Sequence, residues 1–417
     1  MIANNEIFNK KQIRTAYMYL YIFLMLLLCR DSLVSTTILG FPRSFFLTLI
    51  ISIPNFIIFI KKIKEDGLKS NRVYIFIILV LSIILTMIIK SDYQLYNFSL
   101  LVFIFIGFVV SYAYDYKEFI KAFINIMIFI SVYSLITTYL FKPLITHTGI
   151  NFPTIINSVN NVFYNFIFSF ALTAESYIRN FGFFREPGVY QVFIILALIF
   201  LTFVKNINIK CRTKIIYTLI FTVTILSTFS TTGIILLALF FTTYIVKLIR
   251  DGKMNRKVFI IITTITIICI LILTLLYNII PSFRETLRFS IEKIFTPNES
   301  LSARQESIIV PLKLYLNSPI FGQKYIDVVE AIDHNTNTTI NMFAIYGLLT
   351  GVIHIMLIYL LIKKMKQPKS VSALIFIIFI VAINTQFLIG NSVLWIVMFS
   401  CFMEDKTIPK KENYIER

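Results

Sequence analysis

Charged residues are scarce in this chain. Asp, Glu, Lys and Arg make up 14% of its 417 residues, whereas hydrophobic residues make up 58%. Soluble domains carry about 25% charged residues, so this composition excludes an ordinary soluble globular protein. The net charge of +18 does not indicate a nucleic-acid partner, because the Lys and Arg residues form short clusters between apolar runs. Such clusters are typical of topology determinants in membrane proteins.

Cysteine and histidine are also rare, and their spacing excludes several kinds of site. The four cysteines have no short Cys-x-x-Cys spacing, which a disulfide framework or a zinc site would need. The long polar segments hold no Asp-x-Asp and no paired histidines, and their acidic residues are scattered. We therefore expect neither a metal nor a cofactor.

A cleavage site is missing after the first apolar run. Arg30 and Asp31 follow that run instead of the small residues that a signal peptidase needs. The run is thus expected to be a retained first span.

Long apolar runs recur along the whole chain. A helix needs roughly 17–25 apolar residues to cross the hydrocarbon core, and on this basis we expect an all-α polytopic integral membrane protein with about twelve spans. The expected spans are centred in residues 15–29, 44–60, 73–89, 95–113, 119–140, 189–204, 214–229, 230–249, 258–280, 338–362, 371–387 and 390–403.

The distribution of positive charge orients these spans. With the N-terminus inside, most of the 39 Lys and Arg residues fall in cytoplasmic segments, as the positive-inside rule requires. The sequence therefore predicts a cytoplasmic (inner) membrane protein with both termini in the cytoplasm.

The same orientation leaves two long segments outside. Residues 1–140 hold five spans, 141–188 form a first outer loop, and 189–280 hold spans six to nine. Residues 281–337 form a second outer loop, and 338–417 hold three spans and a cytoplasmic tail. The apolar stretches NVFYNFIFSFAL and SIIVPLKLYL in the two loops predict short amphipathic helices on the membrane.

The segment RNFGFFREPGVYQ, residues 179–191, is the densest polar cluster next to a span. Pro187 suits the first turn of a helix, and the free N–H groups of a helix start favour an anion. Arg179 and Arg185 supply planar guanidinium groups that match diphosphate oxygens. The alternative interpretation is that both arginines snorkel at lipid headgroups, with Glu186 as their partner.

Two further clusters could contribute to a site. STFSTTG, residues 227–233, is a polar turn between two spans, and capping of the following helix explains it adequately. In the second long loop, Arg304 stands near the start of an expected helix, and His334 lies where the tenth span begins. Imidazole titrates near neutrality, which suits a proton acceptor or a donor to an anion.

Four of these motifs occur in an order that resembles the O-antigen polymerase and ligase superfamily of bacterial polysaccharide assembly. They are FREPG before a span, FSTTG between two spans, S-x-R followed by SPIFG, and HN ahead of a span that contains Tyr346-Gly347. The resemblance covers roughly residues 179–351. The sequence departs from it at Thr231-Thr232, where many members have an arginine, and at FGQK, where a double glycine is expected.

The resemblance implies an enzyme that transfers a polyprenyl-diphosphate-linked glycan to a sugar hydroxyl at the outer membrane face. Arg185 and Arg304, supported by Arg179, would bind the diphosphate, and His334 would accept the proton, with Glu186 as the rival base. The expected function is polymerisation of O-antigen or capsule repeat units. A ligase of the same superfamily and a flippase or transporter of the lipid-linked unit are the alternatives. The expected partners are polyprenyl-diphosphate-linked oligosaccharides, the lipid bilayer and a chain-length regulator protein.

Overall fold

The computed structural model describes residues 2–68, 70–174, 178–252, 299–332 and 335–405, with isolated positions at 274, 278, 284, 285 and 288. Helices make up most of the described chain. They are α1 (Ile2–Leu28), α2 (Phe41–Asp66), α3 (Ser70–Lys90), α4 (Leu95–Ala113), α5 (Tyr116–Ile136), α6 (Lys142–Thr148), α7 (Pro187–Phe203), α8 (Cys211–Ser227), α9 (Thr231–Arg250), α10 (Glu299–Asn317), α11 (Tyr325–Glu330), α12 (Thr338–Lys364), α13 (Lys369–Ile383) and α14 (Ser392–Phe399). The strands are β1 (Thr154–Ile156), β2 (Val162–Asn165) and β3 (Phe170–Leu172).

Many of these helices have the length and composition of membrane spans. Within the described residues, six are long and apolar enough to cross a membrane: Phe41–Glu65, Asn71–Lys90, Leu95–Ala113, Tyr116–Thr148, Thr231–Arg250 and Thr338–Lys364. Shorter apolar helices cover Gln12–Leu28, Pro187–Phe203, Lys369–Ile383 and Ser392–Phe402. The outward faces of α2 and α3 expose large apolar side chains such as Ile57 (63%) and Leu81 (58%). This architecture is compatible with a helical membrane protein.

Each expected span that lies in the described residues overlaps a helix, but only the six helices named above are long enough to cross a membrane, so the count of about twelve spans stays a prediction. The expected span 258–280 lies outside them, as does most of the second long loop before residue 299. Two short segments of the described chain are π-helical: Val34–Leu39 lies between α1 and α2, and Thr137–Phe141 lies between α5 and α6.

α7 is enclosed on all sides by the bundle. Every residue from Val189 to Leu201 is buried, and the helix packs against α5, α8, α9 and α13. Its apolar side chains on all faces are what a central helix requires. Since Pro187 occupies the first turn, the polar segment before it is anchored to the middle of the molecule.

The prediction of an amphipathic helix in the first long loop is wrong. Residues 154–172 form a three-stranded antiparallel sheet in the order β1-β2-β3, with Ile155 opposite Phe163 and Tyr164 opposite Ala171. Aromatic and β-branched residues favour strands, and the turn between β1 and β2 uses Asn160 in a left-handed conformation (φ 61°). Asn tolerates that conformation better than most residues.

The second long loop contains the helix predicted there. SIIVPLKLYL lies in α10, which ends at Asn317 before the turn SPIFG. That turn packs against a break in α12 at Gly347, where φ is 78°. The N–H of Leu348 donates to the carbonyl of Pro319 (2.8 Å), and the N–H of Gln323 donates to that of Ala344 (2.8 Å). The SPIFG and Tyr346-Gly347 motifs are therefore in direct backbone contact.

Candidate functional site

A cavity of about 930 Å³ opens at one end of the bundle, where several helix ends meet. Its walls come from the link between α1 and α2, the β1–β2 turn, the segment before α7, the turn between α8 and α9, and the residues after α13. The lining includes Arg179, Arg185, Glu186, Gly188, Gln191, Ser230, Thr231, Thr232 and Gln386. Two clusters that are separate in the sequence, residues 179–191 and the turn STFSTTG, thus share one cavity.

Asn180 holds the segment before α7 in place. Its buried amide nitrogen donates to the hydroxyls of Ser134 (3.0 Å) and Ser227 (3.1 Å), and its backbone N–H donates to the carbonyl of Ser227 (2.9 Å). The sheet adds a further tie, because the N–H of Phe170 donates to the carbonyl of Gly182 (2.7 Å). The segment is therefore fixed on α5, α8 and the sheet before it reaches α7.

Arg185 is held by an ion pair with Asp31. The distance from Arg185 Nη2 to Asp31 Oδ1 is 3.1 Å, and the Asp31 side chain is only 4% exposed. The second carboxylate oxygen of Asp31 accepts a hydrogen bond from Asn391 (2.7 Å), and the Arg185 N–H donates to the Asp31 carbonyl (2.9 Å). The Nε atom of Arg185 is buried and has no hydrogen-bond partner. One edge of the guanidinium is thus anchored while Nε keeps a free donor.

Glu186 lies beside Arg185 but is not the partner that sequence reasoning gave it. It is exposed, lines the cavity and occupies the N-cap of α7 without a capping bond from its side chain. Among the described residues, Arg185 pairs with Asp31 instead. A carboxylate at a helix N-terminus interacts favourably with the helix dipole, and Glu186 remains available to a ligand.

Arg179 connects the two clusters. It lines the cavity, and its Nε donates to the carbonyl of Thr228 (3.0 Å) in the turn between α8 and α9. The turn itself departs from the capping interpretation, since Ser230, the N-cap of α9, makes no side-chain capping bond. Ser230, Thr231 and Thr232 line the cavity instead.

Two lining residues, Gln191 and Gln386, were missed by sequence reasoning. Gln191 is 1% exposed, and its Oε1 has no hydrogen-bond partner. Gln386 is 9% exposed and follows α13. The sequence offered a signal for Gln191, which is a polar residue within an apolar run, but nothing in the pattern linked it to a cavity. Asp31 was likewise visible only as a charge at the end of the first span.

No described residue of the second loop lines the cavity, but the loop is bonded to the chain just before α12, and the start of α12 contacts a lining residue. Arg304 lies in α10, but its side chain is outside the described part, and His334 lies outside it altogether. The hydroxyls of Ser307 and Thr336 are 2.8 Å apart, which ties α10 to the chain just after His334. The hydroxyl of Thr338 donates to the carbonyl of Gln386 (2.5 Å). The start of α12 is therefore fixed to a residue of the cavity.

The cavity lining includes two guanidinium groups, one carboxylate and several hydroxyl and carboxamide groups. Such a set can bind an anion and hydrogen-bond hydroxyl groups next to it. Among the described residues, no group of three or more His, Cys, Asp or Glu side chains is placed to hold a metal ion. No family model, curated protein or solved structure matches this chain.

Proposed function

We propose that the protein is a polysaccharide polymerase of the cytoplasmic membrane, with about twelve spans and both termini in the cytoplasm. It transfers a polyprenyl-diphosphate-linked glycan to a lipid-linked repeat unit at the outer face, in O-antigen or capsule assembly. The proposal extends the resemblance of FREPG, FSTTG, SPIFG and HN to the O-antigen polymerase and ligase superfamily. The described helices support its membrane location.

One observation carries the proposal: Arg179, Arg185, Glu186 and the Ser230–Thr232 turn line a single cavity. An arginine that only snorkels at headgroups needs no buried counter-ion. Arg185 instead forms an ion pair with Asp31, which is buried and accepts a hydrogen bond from Asn391. This arrangement supports a preorganised anion site, because the guanidinium is held in one orientation before a ligand arrives.

The proposed glycosyl transfer involves three events. The acceptor hydroxyl oxygen attacks the anomeric carbon of the donor, the bond from that carbon to the diphosphate oxygen breaks, and the hydroxyl proton goes to a base. The diphosphate departs as an anion, so arginines that neutralise it lower the barrier. In this proposal Arg185 and Arg304, with Arg179, bind the diphosphate, His334 takes the proton, and Glu186 is the rival base.

The position of the cavity suits a lipid-linked donor. It lies at the ends of spans rather than within them, where a diphosphate would meet the membrane–water boundary while its lipid tail lies between helices. Its volume of about 930 Å³ falls at the upper end of the range of ordinary ligand pockets. This is room for sugars as well as for the diphosphate.

Deleting the gene from its own organism tests the proposal against its alternatives. Loss of a polymerase leaves single repeat units on the cell surface. Loss of a ligase leaves long lipid-linked chains without surface attachment, and loss of a flippase leaves single lipid-linked units at the inner face. Only the first outcome, reversed by the wild-type gene but not by Arg185→Ala, agrees with the proposal.

A further inference from the structure

Two glutamine side chains in the cavity wall have no role in the proposed anion chemistry. Gln191 is on the second turn of α7, is 1% exposed and has an Oε1 without a hydrogen-bond partner. Gln386 is 9% exposed and lines the same cavity. Buried polar atoms in proteins are almost always hydrogen-bonded, so an unpaired buried acceptor needs an explanation.

Each carboxamide packs directly against a glycine in a helix. A Cβ at Gly233 would overlap Oε1 of Gln191, and a Cβ at Gly188 would overlap Nε2 of Gln386. Neither glycine has a positive φ, so backbone conformation does not require a glycine at either position. Glycine in a helix is less favourable than alanine. The two glycines therefore leave room for the amides.

The chemistry of a carboxamide identifies what it would bind. A phosphate offers only acceptors, so it can use the NH₂ group of a carboxamide but leaves the carboxamide oxygen unpaired. A sugar hydroxyl both donates and accepts, and it matches the oxygen and the NH₂ group of a glutamine. The unpaired donor at Arg185 Nε and the unpaired acceptor at Gln191 Oε1 together fit a ligand that carries an anion next to hydroxyl groups.

We propose that Gln191 and Gln386 are specificity-determining residues that hydrogen-bond the sugar attached directly to the donor diphosphate. This inference rests on the proposed function and adds to it a division of the cavity: the arginines bind the diphosphate, and the glutamines recognise the first sugar.

The test measures binding to the full chain in lipid nanodiscs. The probes are a short-chain polyprenyl diphosphate without sugar and the same lipid carrying glucose, galactose or N-acetylglucosamine. Gln191→Met keeps the length of the side chain and removes its polar atoms. Gly233→Ala keeps Gln191 but displaces its amide. Gln94→Leu is the control, because Gln94 is half-buried at the start of α4 and does not line the cavity.

We expect the wild type to bind at least one sugar-bearing lipid more tightly than the bare diphosphate. Gln191→Met and Gly233→Ala should weaken that binding about five- to tenfold, the size of a lost hydrogen bond, and leave the bare lipid within about twofold. Equal losses for both lipids, no loss for either, or no preference of the wild type for any sugar would overturn the inference while the diphosphate site stands. A wild type that binds none of the lipids would overturn the proposed function as well.

Discussion

Arg185 and Asp31 form an ion pair, 3.1 Å between Nη2 and Oδ1, that joins the segment before α7 to the end of α1. The pair is reinforced by a backbone bond from Arg185 to Asp31 and by a bond from Asn391 to the same carboxylate. The end of α1, the segment before the central helix α7 and the start of α14 therefore meet at one carboxylate.

This pair predicts a non-additive effect on stability. Arg185→Gln leaves the buried Asp31 carboxylate without its cation, and we expect it to lower the free energy of unfolding by about 1–3 kcal/mol. This is below the full cost of breaking a buried pair because the Arg185 side chain is 38% exposed. Adding Asp31→Asn removes the orphaned charge and should recover part of the loss. Thermal denaturation in detergent measures Arg185→Gln, Asp31→Asn and the double variant, and a double variant less stable than Arg185→Gln would contradict the pairing.

A second prediction concerns the broken helix. Gly347→Ala places a Cβ against the carbonyl of Ile320 in the SPIFG turn at a backbone φ of 78°, so both overlap and strain oppose it. We expect a loss of at least about 3 kcal/mol or failure to accumulate. Gly40→Ala is the matched control, since Gly40 has φ 76° and ψ 149° with open space around it, and should cost only the backbone strain of about 1–3 kcal/mol. Equal thermal midpoints for the two variants would argue against the contact.

The helical part of the fold could be predicted because apolar length and charge clusters are local properties of the chain. The sheet could not. Strands of three or four residues rich in Phe and Tyr look, in sequence, like one face of a short amphipathic helix. Only the pairing of β1, β2 and β3 distinguishes the sheet from such a helix. That pairing is set by the Asn-containing turn and by packing of residues such as Phe163.

The candidate site was predictable to a similar extent. Arg179, Arg185 and Glu186 share a local motif, and the structure brings all three to one cavity. Asp31 and Gln191 were missed because their roles depend on tertiary partners, Arg185 and Gly233, far along the chain. No local pattern marks a residue whose importance comes from such a partner.

The proposed topology gives a third prediction. In a cysteine-free background, Val159→Cys in the β1–β2 turn and Glu330→Cys at the end of α11 should react with a membrane-impermeant maleimide in intact cells. Both positions are exposed. Lys61 lies near the C-terminal end of α2, which the proposed topology places in the cytoplasm. Lys61→Cys should therefore react only after permeabilisation. The reverse pattern would contradict an outward-facing cavity.

A fourth prediction concerns the proton. If His334 is the base, turnover should rise as pH increases, because only the neutral ring accepts the proton. His334→Gln should then lower turnover by roughly a hundredfold or more and remove that rise. A histidine that donates to the diphosphate would give the opposite trend, with turnover falling as pH rises. An unchanged rate and pH profile in His334→Gln would move the role of base to Glu186.

The most direct measurement incubates the purified protein with a polyprenyl-diphosphate-linked repeat unit and separates the products by size. We expect a ladder that grows by one repeat unit per step. Arg185→Ala should reduce its rate by roughly ten- to a hundredfold, and Arg185→Lys should be partly active because lysine keeps the charge but not the planar fork. A ladder formed equally fast by normally expressed Arg185→Ala would remove this residue from the site. Intact donor with no product from the wild type would contradict the proposal that the protein is a polymerase.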